Sequence, residues 1–261
     1  MAPKLLVANF KDYLKPSEAA TVAAGIARFA EREQVHIAVA ARRDAFPHVA
    51  DAIRGSNVSL CAQNISLYNS SGTDRPSVAE MEKYGCRYAM VGHSEVRWNA
   101  KKGESTRMVR EKIARLLSRT SKIDPILCIG ETGAAKQKGG TDGMIEAQIS
   151  TALKFDGVMV KGSFIERLVI AYEPVWAISR HATVEPPNAE QINAICGRIR
   201  EFISDRFGDE CGKTVRIIYG GSVGIANISS IVLQRGIDGA LVGKASTIDG
   251  EFTSMIKAVS R

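Results

Sequence analysis

Leu168-Val169-Ile170-Ala171-Tyr172-Glu173-Pro174-Val175-Trp176 carries an apolar run straight into an acid, a proline and a tryptophan. A short apolar run closed by a breaker reads as a buried strand, and Pro174 fixes where the chain leaves it. A carboxylate at the C-terminal end of such a strand stands where a parallel α/β barrel holds its reacting groups. In that position Glu173 can take a proton from a bound molecule and give it back. The stretch that follows, residues 177–184, is long and polar enough to close over the site as a lid.

Outward from this run the same pattern recurs. Further short apolar runs cover residues 4–10, 35–41, 58–64, 88–93, 125–130, 215–221 and 240–245. Between them lie segments with helical spacing. Residues 17–31 place Val22, Ile26 and Phe29 on one face, and residues 104–118 do so with Met108, Ile113, Leu116 and Leu117. Residues 189–207 align Ile192, Ile195, Ile199, Phe202 and Ile203, and residues 250–260 align Phe252, Met255, Ile256 and Val259. Strands alternating with helices argue for parallel βαβ units. Near-continuous apolar strands argue for a sheet covered on both faces. Eight such units in 261 residues predict a single (β/α)8 barrel. An open doubly wound sheet is the rival, but no strand is followed by Gly-x-Gly-x-x-Gly. No Pro/Gly/Ser-rich linker divides the chain, so one domain over residues 1–261 is expected.

Composition narrows the function classes. Hydrophobic residues make up 45% and charged residues 24%, and the apolar runs are too short to span a membrane. No signal-peptide pattern precedes the first strand, so a cytoplasmic protein is expected. The cysteines Cys61, Cys86, Cys128, Cys196 and Cys211 are odd in number and far apart, which favours reduced, packed thiols over disulfides or a metal site. The net charge of +7 suits an anionic partner, but the basic residues are dispersed. Without a basic cluster interleaved with aromatics, nucleic-acid binding is not expected; a small phosphorylated substrate is compatible with the charge.

What stands where the apolar runs stop is more specific. The first run ends in Asn9-Phe10-Lys11, the third in Gln63-Asn64, the fourth in Gly92-His93-Ser94-Glu95 and the sixth in Glu173. The seventh ends in Gly220-Gly221-Ser222 and the eighth in Gly243-Lys244. Each has a plainer alternative: a strand-to-loop transition for Asn9 and Lys11, a hydrogen-bonded structural histidine, an ion-paired glutamate, an ordinary glycine turn. Cys128 and Trp176 read as packing residues, and Glu95 as a structural acid paired with a cation. In a barrel, however, all these ends converge on one mouth, bringing together a base, an electrophile, a cation and glycine-rich amides.

In order along nearly the whole chain these segments resemble the triosephosphate isomerase family. The resemblance is carried by Asn9-Phe10-Lys11, Ala62-Gln63-Asn64, Gly92-His93-Ser94-Glu95, Cys128-Ile129-Gly130-Glu131, residues 171–178, Tyr219-Gly220-Gly221-Ser222-Val223 and Leu241-Val242-Gly243. It implies a TIM barrel that interconverts dihydroxyacetone phosphate and glyceraldehyde 3-phosphate with neither metal nor organic cofactor. By the same resemblance Glu173 is the base, His93 the electrophile that polarises the carbonyl, and Lys11 the cation that stabilises the enediolate and the phosphate. Asn9, Ser179, Ser222, Gly243 and Lys244 are implied substrate contacts, supported by Glu95 and Cys128. Family members are typically homodimers, and the loop of residues 67–77 corresponds to the one that enters the partner, with Thr73 at the matching position.

The chain also departs from the family pattern. Ser179-Arg180-His181 and Ala182-Thr183-Val184 replace the usual Gly-Thr-Gly and Lys-Thr-Ala of the lid, and serine lacks the backbone freedom of glycine. Lys244 replaces a glycine, either adding a phosphate contact or pointing away. Phe10 replaces tryptophan, and Val96 an arginine whose ion pair would then be missing. The altered lid and Lys244 motivate one alternative, an isomerase of a longer phosphosugar; a second, a silent barrel with a binding role, has the intact Lys11, His93 and Glu173 against it.

Overall fold

The structure is a computed structural model that describes residues 3–30, 34–67, 75–97, 103–118, 120–155, 158–160, 162–178 and 185–260. Eight parallel strands close into a barrel: β1 (Leu5–Asn9), β2 (His36–Ala41), β3 (Val58–Ala62), β4 (Cys86–Val91), β5 (Asp124–Ile129), β6 (Val169–Tyr172), β7 (Arg216–Tyr219) and β8 (Gly239–Val242). Neighbours in sequence are neighbours in the sheet, and β8 closes on β1 with Leu5 opposite Gly239. Each of the eight apolar runs overlaps one of these strands, although β4, β5 and β8 begin one or two residues before the runs at 88, 125 and 240.

The alternation of side chains along each strand divides the core in two. Leu5, Val7, Ala38, Ala40, Cys61, Met90, Ile126, Cys128, Val169, Ala171, Ile218 and Leu241 fill the barrel interior. The residues between them, such as Leu6, Ala8, Leu127, Ile170 and Ile217, face the surrounding helices. That explains the near-continuous apolar strands, since both faces are covered. All five cysteines are buried and free.

The helices start where capping side chains satisfy their first amides. Asn188 and Gln191 form a reciprocal capping box on helix Ala189–Phe207, Ser105 caps Thr106–Leu116, and Ser77 caps Val78–Lys83. Glu104, expected within the second of these, instead precedes its cap. It is buried and ion-paired with the equally buried Lys112, while Arg75 bonds it at 2.8 Å and Asn64 at 2.9 Å. Burial, only partly offset by Glu104, lowers the Lys112 pKa to about 8. An antiparallel pair, Lys154–Phe155 with Val158–Met159, lies between β5 and β6 and has no counterpart in the periodicity reading. Among the described residues no helix is long and apolar enough to cross a membrane.

Candidate active site

The interior alternation runs on past the strand ends and so decides which residues reach the mouth. Two residues beyond Val7 is Asn9, beyond Cys61 is Gln63, beyond Ala171 is Glu173, beyond Ile218 is Gly220 and beyond Leu241 is Gly243. Asn9, Lys11, His93, Gly220, Ser222, Gly243 and Lys244 line one cleft of about 720 Å³. A slightly larger cleft, about 800 Å³, lies around Arg43, Phe46, Asn64, Tyr84 and Val96, with neither Lys11 nor His93 in its lining.

Lys11 is the one described non-glycine residue with a positive φ, 47°. This sparsely populated conformation is held from three sides. The Lys11 backbone N–H donates to Asn9 Oδ1 at 3.1 Å, its carbonyl accepts from Gln63 Nε2 at 2.9 Å, and its ammonium pairs with Glu95 at 2.9 Å. Glu95 therefore has the cation partner expected for it, and the partner is a residue of the cleft.

His93 and Glu173 are both buried, and His93 Nε2 lies 3.5 Å from Glu173 Oε2. His93 Nδ1 accepts the Glu95 backbone N–H at 3.3 Å, which assigns the imidazole proton to Nε2, the nitrogen that faces Glu173. Neither Glu173 oxygen accepts from a nitrogen or oxygen donor among the described residues. The carboxylate packs against Gly220, where a Cβ would come within 2.7 Å of Glu173 Cγ. Cys128 lies inside the barrel; burial first, then the charge of Glu173, pushes its thiol well above the usual range and keeps it protonated.

The rim is braced on two sides. Ser222 Oγ donates to the Ala177 carbonyl at 2.8 Å, tying the exit from β7 to the turn after Pro174. Buried Glu131 accepts from Trp176 Nε1 at 2.7 Å and from the Tyr172 hydroxyl, and the Lys136 ammonium sits 3.2 Å over the Trp176 ring. Burial first, then the charge of Glu131, raises the Tyr172 pKa.

The family model for triosephosphate isomerase matches residues 4–259. The chain belongs to the triosephosphate isomerase family. It is 37% identical to the triosephosphate isomerase of Carboxydothermus hydrogenoformans, over 98% of this chain and 99% of that one. It is also 35% identical to the Thermus thermophilus triosephosphate isomerase, over 97% of each chain. The identity is 33% with the Rhodopirellula baltica triosephosphate isomerase, over 99% of this chain and 98% of that one.

Of the residues singled out by resemblance to this family, six share the cleft and Glu173 lies beside His93 at its base, with Cys128 in the interior below. Lys244 is exposed at the rim, where it opens the turn Lys244–Thr247. Ser179 and the lid tip, and Thr73 in the loop matched to the family's dimer contact, lie outside the described residues. Sequence reasoning missed Arg97. Its guanidinium donates to the carbonyls of Gly92 at 2.7 Å and Cys128 at 3.2 Å, joining the ends of β4 and β5 beside the site. Burial lowers its pKa, and the nearby carboxylates of Glu104 and Glu173 work against that. The ion pair thought lost at Val96 is thus not the only cationic brace available to this segment. Gln63, quoted as a strand end, also proves to hold the Lys11 carbonyl.

Proposed function

We infer that the chain interconverts dihydroxyacetone phosphate and glyceraldehyde 3-phosphate, with Glu173, His93 and Lys11 carrying the reaction. The observation that supports these roles is the buried carboxylate 3.5 Å from an imidazole nitrogen that bears its proton, beside an ordered ammonium. At that spacing the carboxylate and the imidazole N–H can reach adjacent carbon and oxygen atoms of one small hydroxyketone. Glu173 takes the proton from the carbon next to the carbonyl, while His93 Nε2–H donates to the carbonyl oxygen. The electron pair of the broken C–H bond passes into the enediolate, whose charge Lys11 stabilises. Glu173 then returns the proton to the neighbouring carbon, while His93, having given its Nε2 proton to the former carbonyl oxygen, recovers one from the hydroxyl on the first carbon, which becomes the aldehyde carbonyl. The phosphate then lies along the wall formed by Ser222, Gly243 and Lys244, with Asn9 ordering the substrate through Lys11.

The test is a coupled assay of glyceraldehyde 3-phosphate isomerisation, with Glu173→Gln as control. Activity abolished in the variant supports the assignment; wild-type activity no greater than that of the variant refutes it. Running tetrose phosphate in parallel tests the longer-sugar alternative, and phosphate binding without turnover would indicate a binding role.

A homodimer through the loop around Thr73 is the assembly we favour. The foot of that loop is anchored, since Ser66 N–H donates to the Pro76 carbonyl at 2.9 Å and Arg75 pairs with Glu104. The adjacent cleft of about 800 Å³ offers room for a segment of a second copy. Light scattering across a dilution series tests it, and a monomer at every concentration would refute it. A single folding unit over residues 1–261 and a cytoplasmic location complete the reading; a single cooperative unfolding transition and cell fractionation are their tests.

A further inference from the structure

Gln148 lies on helix Thr141–Ala152, which is seated on the barrel by the buried side chains of Ile145, Ile149 and Ala152. Its amide makes two hydrogen bonds to one residue. Oε1 accepts the Gly130 N–H at 2.9 Å, and Nε2 donates to the Gly130 carbonyl at 3.0 Å. Gly130 is the first residue past the end of β5. A side-chain amide offers, at any pH, one donor and one acceptor side by side to match both groups of a peptide residue.

Gly130 in turn abuts the residue proposed as the base. A Cβ there would lie 2.0 Å from the Glu173 carbonyl oxygen and 3.1 Å from Pro174 N, so the backbones touch with no space between them. The Glu173 N–H donates to the Ile129 carbonyl at 2.7 Å, one residue before Gly130. The Glu173 carboxylate accepts from the Cys128 thiol but from no nitrogen or oxygen donor among the described residues, so its aim is set chiefly by its backbone and by packing. Gln148, Gly130 and Glu173 also border the same small cavity.

We propose that Gln148 is a positioning residue for Glu173, acting through the peptide of Gly130; this rests on Glu173 being the base. Without the amide, the Gly130 N–H and C=O lose both partners. The peptide unit after Gly130 loses its hold, while the one before it stays tied through the Ile129 carbonyl to the Glu173 N–H, so the loosening passes directly into the Glu173–Pro174 backbone and to the carboxylate.

The test is Gln148→Met, which keeps length and apolar stem but has neither donor nor acceptor. Gln148→Glu serves as a second variant: it keeps an acceptor for the N–H and sets a carboxylate oxygen against the Gly130 carbonyl. In each folded variant kcat falls about tenfold, as expected for a base held loosely. KM stays within about twofold of wild type, because groups that bind the ground state are untouched. The primary isotope effect on kcat with substrate deuterated at the transferred position rises, since proton abstraction is the step that slows; a mere loss of folded protein would leave it unchanged. In a Glu173→Ala background, Gln148→Met causes no further loss. The proposal is overturned if kcat stays within about twofold of wild type. An unchanged isotope effect or multiplicative losses with Glu173→Ala overturn it equally. Wild-type protein without isomerase activity overturns the functional reading and this proposal together, whereas an active wild type with indifferent Gln148 variants overturns the proposal alone.

Discussion

Replacing Gly220 by alanine tests how the base is aimed. The new methyl carbon would stand 2.7 Å from Glu173 Cγ and 3.3 Å from Cδ and Oε1. Neither backbone can easily retreat, because Gly220 N–H is bonded to the Tyr172 carbonyl at 2.9 Å and Glu173 N–H to the Ile129 carbonyl at 2.7 Å. The Glu173 side chain must therefore move. The Cγ contact is about 0.7 Å short of the 3.4 Å at which ordinary van der Waals contact begins, so a displacement of about that size is forced. Misplacing a reacting group by about 1 Å costs on the order of 100-fold in rate. A shift of about 0.7 Å then corresponds to roughly a 10- to 50-fold fall in kcat, or about 1.4 to 2.3 kcal/mol of barrier.

The overpacking also costs stability, about 1–3 kcal/mol, so the rate is measured at 25 °C with circular dichroism and the melting temperature as checks on folding. KM is expected to stay within about twofold, because Lys11, Ser222 and Gly243 are not displaced. A folded Gly220→Ala protein with wild-type kcat would show that Glu173 is not aimed by its contact with Gly220. A rise in KM alone would mean that Gly220 matters for binding and not for the base.

Lys244→Ala should raise KM by roughly 2- to 5-fold at low ionic strength, the range of an exposed charge contact, with the difference shrinking in 0.5 M salt; a salt-independent effect, or none, would count against a phosphate contact. The buried thiols make stability fall in alkali. Burial, with smaller contributions from Glu80 and Asp238 respectively, raises Cys86 and Cys196 to about 12, so the folded chain keeps protons that the unfolded chain releases above 9. Each therefore costs about 1.4 kcal/mol at pH 10 relative to pH 8, and Cys196→Ala should flatten the denaturant-measured pH dependence by that amount, whereas an unchanged slope would refute the cause. Gly25, Gly143 and Gly197 lie in helices with open space where a Cβ would go. Replacing all three by alanine should add about 1.5–3 kcal/mol and raise the melting temperature by roughly 3 to 12 °C in calorimetry.

The barrel was legible because its strands are apolar on both faces and short, and because helices with a single apolar stripe separate them. The mouth was legible for the same geometric reason. A strand's period of two runs to its last residue and one step beyond, so Val7 predicts Asn9 at the end of β1 and Ala171 predicts Glu173 just past β6, without any knowledge of their roles. What escaped depends on distant segments meeting. Glu104 looked like part of a helix until Lys112 and Arg75 drew it into the interior, and no local pattern encodes that pairing.

Arg97 shows the limit most clearly. Read residue by residue, Val96 stands where an arginine was expected, and a lost ion pair follows. In the helix Ser94–Arg97, however, the Arg97 N–H bonds the His93 carbonyl at 3.0 Å, so Arg97 stands one turn above His93 on the same face. That face looks back on the ends of β4 and β5, where the guanidinium finds the carbonyls of Gly92 and Cys128. Val96, a step round the helix, lines the neighbouring cleft of about 800 Å³ instead. Gly92 completes the device: at φ 76° it has no Cβ, and one added there would strike Arg97 at 2.6 Å. A glycine and an arginine five residues apart across His93 thus carried the signal, and it becomes readable only once the helical turn between them is drawn.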